Sequence, residues 1–218
     1  MIRPIITPIT QVNTVSENVP SSAIAFKVIS LAAILGIFTF AVWIMLRKSK
    51  EELNSPKTVP ALLASAGVGL ILLLLYGVSL TAVKGMILCM ILLWASLSDI
   101  AKHEAPDFIT AFILVLAFVG FEPANLPSML IGASMVFVPQ IAISILRPKR
   151  AIGGADIKIS TALAFLLGAE KGIFALLIGM TTGVIVMLIV RKIRKETTKE
   201  PFALIPFLSL GAMFAFCL

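Results

Sequence analysis

The stretch SLTAVKGMILCMILLWASLSDIAKHEAPD (79–107) decides the reading of the fold. Residues 79–98 form an apolar run of the length one helix needs to cross a hydrocarbon core, about 20 residues at about 1.5 Å each. The run stops on Asp99, a short polar break follows, and Pro106-Asp107 opens the next apolar run. Outward from this stretch the pattern repeats. Apolar runs cover about 24–46, 59–76, 79–98, 107–121, 126–146, 156–170, 172–190 and 201–218, the fourth and sixth being short. The 218 residues are 59% hydrophobic and 13% charged, with a mean hydropathy of +1.07. A soluble domain of that length cannot hide so much apolar surface, so the solvent is largely lipid. The fold class expected is all-α, a polytopic transmembrane helical bundle of about six to eight spans. The reading divides the chain into an extracytoplasmic tail (1–23) and a single transmembrane domain (24–218).

Charge sorts the connections. Residues 47–58 carry Arg47, Lys48, Lys50 and Lys57; 99–106 carry Lys102 and His103; 147–150 read Arg-Pro-Lys-Arg; 191–200 carry Arg191, Lys192, Arg194, Lys195 and Lys199. The alternate connections are nearly free of cations: Tyr76-Gly77-Val78, Glu122-Pro123-Ala124-Asn125 and Glu170-Lys171. Cytoplasmic loops concentrate Lys and Arg, so the first set faces the cytoplasm of a plasma-membrane protein and both termini lie outside. Asp99 then ends the third span at the cytoplasmic side. Asp156, in AIGGADIKIS (151–160), begins the sixth from the same side.

Two acids at span ends on one face form a candidate catalytic pair. Taken singly, Asp99 reads as a headgroup-solvated residue and Asp156 as a helix N-cap. Together, acids bordering hydrocarbon point to a functional site. Two close carboxylates do not ionise together easily, and the pair titrates jointly. The ionised member deprotonates a bound water; the protonated one donates to a scissile carbonyl. Such chemistry points to an aspartic protease and needs neither a metal nor a cofactor. Gly153-Gly154 permits the close backbone approach of an extended substrate beside Asp156. Asp107 reads as an N-cap or a substrate-facing group, Glu104 as solvated, and Glu122 and Glu170 as lying on the opposite face.

Other chemistries fit poorly. Cys89 and Cys217 are far apart within apolar runs, His103 is the lone histidine, and no serine lies in a GxSxG, so neither a zinc site nor a Ser-His triad is expected. The net charge of +7 sits in short breaks, which speaks for topology and contact with anionic lipid, with no nucleic-acid partner. The polar, Pro-containing residues 1–22 do not read as a signal peptide. Gly67-Val68-Gly69, Gly179 and Gly183 suit close helix crossings.

The motifs resemble those of the type IV prepilin peptidases. Asp99-Ile-Ala-Lys-His-Glu-Ala-Pro106-Asp107 is similar to their D-x-x-x-x-x-I-P-N/D. Gly153-Gly154-Ala155-Asp156-Ile157-Lys158 is similar to their G-G-x-D-x-K. Pro201-Phe202 through Pro206, Leu208 and Gly211 is similar to the P-F-x-P-x-L-x-x-G tail, with extra spacing before the second proline. The resemblance implies a GxGD-type aspartic membrane protease that removes the short basic leader of a prepilin or an archaeal preflagellin, just before a hydrophobic helix that later joins a filament. It implies catalytic roles for Asp99 and Asp156, backbone shaping by Gly153 and Gly154, and motif or substrate-binding positions at Ala155, Lys158, Pro106 and Asp107. Lys158 reads equally as a cation snorkelling to headgroups. The implied unit spans about 79–218. Ala155 stands where many members have Gly, and Ala105 where Ile is usual. No cysteine-rich insert separates the early spans, so a peptidase-only form is expected, without N-methylation of the product. Two alternatives stay open: a presenilin-like protease cutting within transmembrane helices, and a proton-coupled transporter using the same acids as relays.

Overall fold

The computed structural model describes residues 21–53, 58–146, 153–194 and 203–218. Among them there are eight α-helices and no strand. The helices are α1 (Ser21–Leu53), α2 (Thr58–Tyr76), α3 (Leu80–Lys102), α4 (Asp107–Ala117), α5 (Leu126–Leu146), α6 (Gly154–Leu167), α7 (Ala169–Arg194) and α8 (Ile205–Cys217). Each of the eight apolar runs overlaps one of them, and α1 and α7 run on past theirs through Leu53 and Arg194. The tail 1–20, Pro201-Phe202 of the third motif, and the loop cations Lys57, Arg147, Lys149, Arg150, Lys195 and Lys199 lie outside the described residues.

Five helices are long and apolar enough to cross a bilayer: α1, α2, α3, α5 (with the 3₁₀ turn Pro123–Asn125 before it) and α7. The other three are short. With 11, 14 and 13 residues, α4, α6 and α8 reach only about 16–21 Å, against a core of about 30 Å. Helix ends at membrane depth are tolerable only where protein covers them, and the packing provides that cover. α4 lies on α6, α6 lies between α5 and α7, and α8 lies between α3 and α7. The core runs through Leu88, Leu92 and Ala95 of α3, Ile113 of α4, Ile159 of α6 and Ala212 and Ala215 of α8. α3 is central, with 44% of its span buried, whereas α1, packed on α2 and α3, has 11%. Large apolar side chains such as Ile37, Leu63, Leu74 and Ile145 face outward, as a lipid-facing surface requires.

Boundaries shift where local chemistry overrides hydropathy. Gly168, at φ +81, forms the whole connection between α6 and α7, so Glu170 and Lys171 lie in the first turn of α7 and not in a loop. The Ala169 N–H beside it donates to Ser128 Oγ at 3.1 Å. The fourth helix stops at Ala117, short of the expected residue 121. Lys84 of α3 meets its end, donating to the carbonyls of Ala117 (3.4 Å) and Val119 (3.0 Å). Lys84, Glu122 and Lys171 line a cavity of about 470 Å³ at this end of the bundle, the end opposite Asp99 along α3.

α7 and α8 meet backbone to backbone. A Cβ on Gly211 of α8 would fall against the Ala175 carbonyl and the Gly179 amide of α7, and one on Gly179 would lie 2.8 Å from Leu208 Cα. Gly183 faces Leu204 and Phe207 in the same crossing. Gly67 has no such neighbour, so the packing role read for it does not hold, although Gly69 faces the Phe38 ring. Gly211→Val is therefore expected to cost about 1–3 kcal/mol by overpacking, while Gly67→Ala should be neutral or better, as read by thermal unfolding in detergent.

Candidate active site

The site is assembled at the break that closes α3. His103 ends the helix in the left-handed region at φ 52, and its N–H donates to the Asp99 carbonyl. Ser98 Oγ donates to the Glu104 carbonyl at 2.9 Å, fixing the far side of the turn. Pro106 then holds extended backbone (φ −60, ψ 142) and starts α4 as its N-cap. Asp107 is therefore one residue inside α4 and does not cap it; its carboxylate goes elsewhere.

Asp99, one turn before this break, is 7% exposed. A carboxylate so placed needs internal donors. Its Oδ2 accepts the Ile205 N–H at 2.9 Å. Ile205 is the first residue of α8, and its N–H is one of the orphan donors every helix N-terminus leaves. One turn deeper, Ser96 Oγ and Ser209 Oγ are 3.0 Å apart, so with the Ile205–Asp99 bond α3 and α8 are stitched twice.

Asp156 lies in the first turn of α6, whose N-cap is Gly153. The N-cap reading of Asp156 therefore does not hold, although its place suits the positive end of the helix dipole. Gly153 is filled by Asp156 itself: a Cβ there would sit 2.9 Å from Asp156 Oδ2. Gly154 has open space around it. Neither glycine nor Ala155 has a positive φ, so Ala155 fits the loop without strain. Burial pushes the Asp156 carboxyl up to about 6, and the charge of Asp99 adds to the rise. The two acids thus feel each other at one end of the bundle.

Lys158, one turn into α6, donates to Asp107 Oδ1 at 2.7 Å, tying the starts of α4 and α6. Both side chains are largely exposed, so the bridge contributes little to stability. Behind Asp156, Ser160 Oγ donates to Gln140 Oε1 at 3.0 Å, both buried. The hydropathy reading passed over this pair, although a lone amide after Pro139 in an apolar run was a visible signal. The Ile205 donor was missed altogether, and no residue type announces a backbone N–H.

Residues 86–188 match the profile of the type IV leader peptidase family. The chain is also similar to a prepilin leader peptidase/N-methyltransferase of Pectobacterium carotovorum subsp. carotovorum, with 30% identity over 137 residues, 59% of this chain and 49% of that relative. The chain thus spans about half the length of the curated relative it matches. No solved structure matches it.

The raised pKa of Asp156 sets a stability test. Its carboxyl titrates near 6 when folded, above the ordinary 3.8. Folding therefore costs most when the pH is above about 6, where the native state holds the charge, and the cost vanishes below the ordinary value. Asp156→Asn should raise the thermal midpoint at about pH 7.5 and leave it nearly unchanged at about pH 4.

Proposed function

We propose, for a chain related to the type IV prepilin peptidases, that it is a membrane aspartic endopeptidase removing the basic leader of a prepilin- or preflagellin-like substrate. In this reading Asp99 and Asp156 activate a water between them. The observation that carries it is that the end of α3 and the first turn of α6 bring the two motif acids to one end of the bundle, near enough for the charge of Asp99 to act on Asp156. The matched residues 86–188 include both.

The half-buried Asp156, with open space at Gly154, leaves room for an extended backbone to lie beside the pair. A peptide carbonyl there receives the proton held by one carboxyl while the other takes one from water. The cation-rich connections support a cytoplasmic orientation for this end and an outward one for the termini. The hydrophobic helix that follows a leader suits a partner delivered from the surrounding lipid.

The test is cleavage of a tagged prepilin-like substrate by the detergent-purified full chain. Asp99→Asn and Asp156→Asn are each expected to lower kcat by at least about 100-fold while leaving folded protein. Asp107→Asn should keep most activity. Full activity in either dyad variant would sink the mechanism. A second contrast follows from the glycines. Gly153→Ala forces the Asp156 carboxylate to swing and should lower kcat by about tenfold or more. Gly154→Ala, in open space, should stay within about threefold.

A further inference from the structure

The two carboxylates are not equivalent. Asp99 is nearly enclosed, and its Oδ2 is held by the Ile205 N–H at the head of α8. Asp156 is half-exposed, and its Oδ2 lies over the bare Gly153 backbone. A backbone N–H bond to a carboxylate favours the ionised form, and the bond is stronger when the acceptor is charged. The positive end of the α8 dipole acts in the same sense.

We infer that the Ile205 N–H is the positioning group that makes Asp99 the general base of the pair and leaves Asp156 as the acid. This rests on the two-aspartate reading above. With Oδ2 tied to α8, Asp99 has one oxygen, Oδ1, left for water. That carboxylate takes a proton from water as the water oxygen bonds to the scissile carbon. The Asp156 carboxyl gives its proton to the carbonyl oxygen, and a gem-diol forms. On collapse, protonated Asp99 gives its proton to the leaving nitrogen as the C–N bond breaks. The Asp156 carboxylate takes one back from a gem-diol hydroxyl. Both groups return to their starting states, and one water has been consumed.

The geometry also explains why the donor is a main-chain group of a packed helix. Gly211 and Gly179 lock α8 to α7, and Ser209 and Ser96 lock it to α3. The N–H therefore cannot swing away as a long side chain does. Ile205 touches neither water nor substrate in this scheme; it acts through Asp99.

The experiment uses the full chain in detergent with a tagged prepilin-like peptide. Ile205→Pro deletes the N–H at the first helical position, a place proline commonly takes, and also presses Leu204 out of its αR backbone (φ −92, ψ −30). It should lower kcat about 10–100-fold with KM within about twofold, whereas Ile205→Val, which keeps the N–H, should match wild type in both. A second arm adds hydroxylamine, a nucleophile that attacks without a base and whose nitrogen, cationic after attack, hands its own proton to the leaving nitrogen as the C–N bond breaks. It should restore cleavage to Asp99→Asn, giving a leader ending in a hydroxamate, and should not restore it to Asp156→Asn. Wild-type kcat in folded Ile205→Pro, rescue of Asp156→Asn instead, or rescue of neither overturns the assignment. If Ile205→Pro does not fold, the hydroxylamine arm decides alone. Full activity in both aspartate variants is a different result, and it removes the two-aspartate reading itself.

Discussion

Besides Lys102 in its last turn, helix α3 carries near each end one charged side chain of the sign its own dipole disfavours. Lys84 sits near the positive N-terminus and Asp99 near the negative C-terminus. In water, ions and solvent would absorb the mismatch. In a bundle surrounded by lipid, other helices must. The free carbonyls at the end of α4 take Lys84, and the free N–H at the start of α8 takes Asp99. Each short helix thus offers an unsatisfied terminus where the long one needs it. The position of the candidate site depends on that exchange.

The three short helices begin at the same end of the bundle. Asp107 and Asp156 occupy the first turns of α4 and α6, and Asp99 lies against the first turn of α8. Three positive dipole ends therefore converge on three acids, which lowers the cost of gathering like charges near hydrocarbon. The Asp107–Lys158 bridge takes the outermost acid out of the repulsion. What remains is the inner pair. The glycine-lined contact of α7 with α8 is the other half of the arrangement, because it fixes the height at which the Ile205 amide meets α3.

Much of this was legible before any coordinates. Hydropathy located all eight helices because each must be apolar to be covered by lipid or by neighbours. Pro106 marked a connection by its backbone restriction and Gly77 by its freedom, and Gly77 follows α2 at φ 60. The spacing of runs brought Asp99 and Asp156 to one end. Errors arose where a contact overrode the pattern. The end of α4 was set by a lysine from another helix, the break at Gly168 was hidden inside continuous apolar sequence, and Asp107 chose Lys158 over the cap. The glycine of the second motif was expected to admit substrate, but Gly153 is occupied by the Asp156 carboxylate, and only Gly154 keeps open space. The Asp99 donor was invisible because main-chain amides carry no sequence signature.

The bond from Ile205 to Asp99 closes a gap of 106 residues. A ribosome adding about 5–20 residues per second needs roughly 5–20 s to cover that distance. Through that interval α3 already exists while its acid lacks the amide it finally accepts. A nascent or prematurely ended chain therefore holds an unquenched carboxylate at the rim of the bilayer, a feature that membrane quality control can read as incompleteness. Maturation of the site becomes a late event, timed by the arrival of the last described helix.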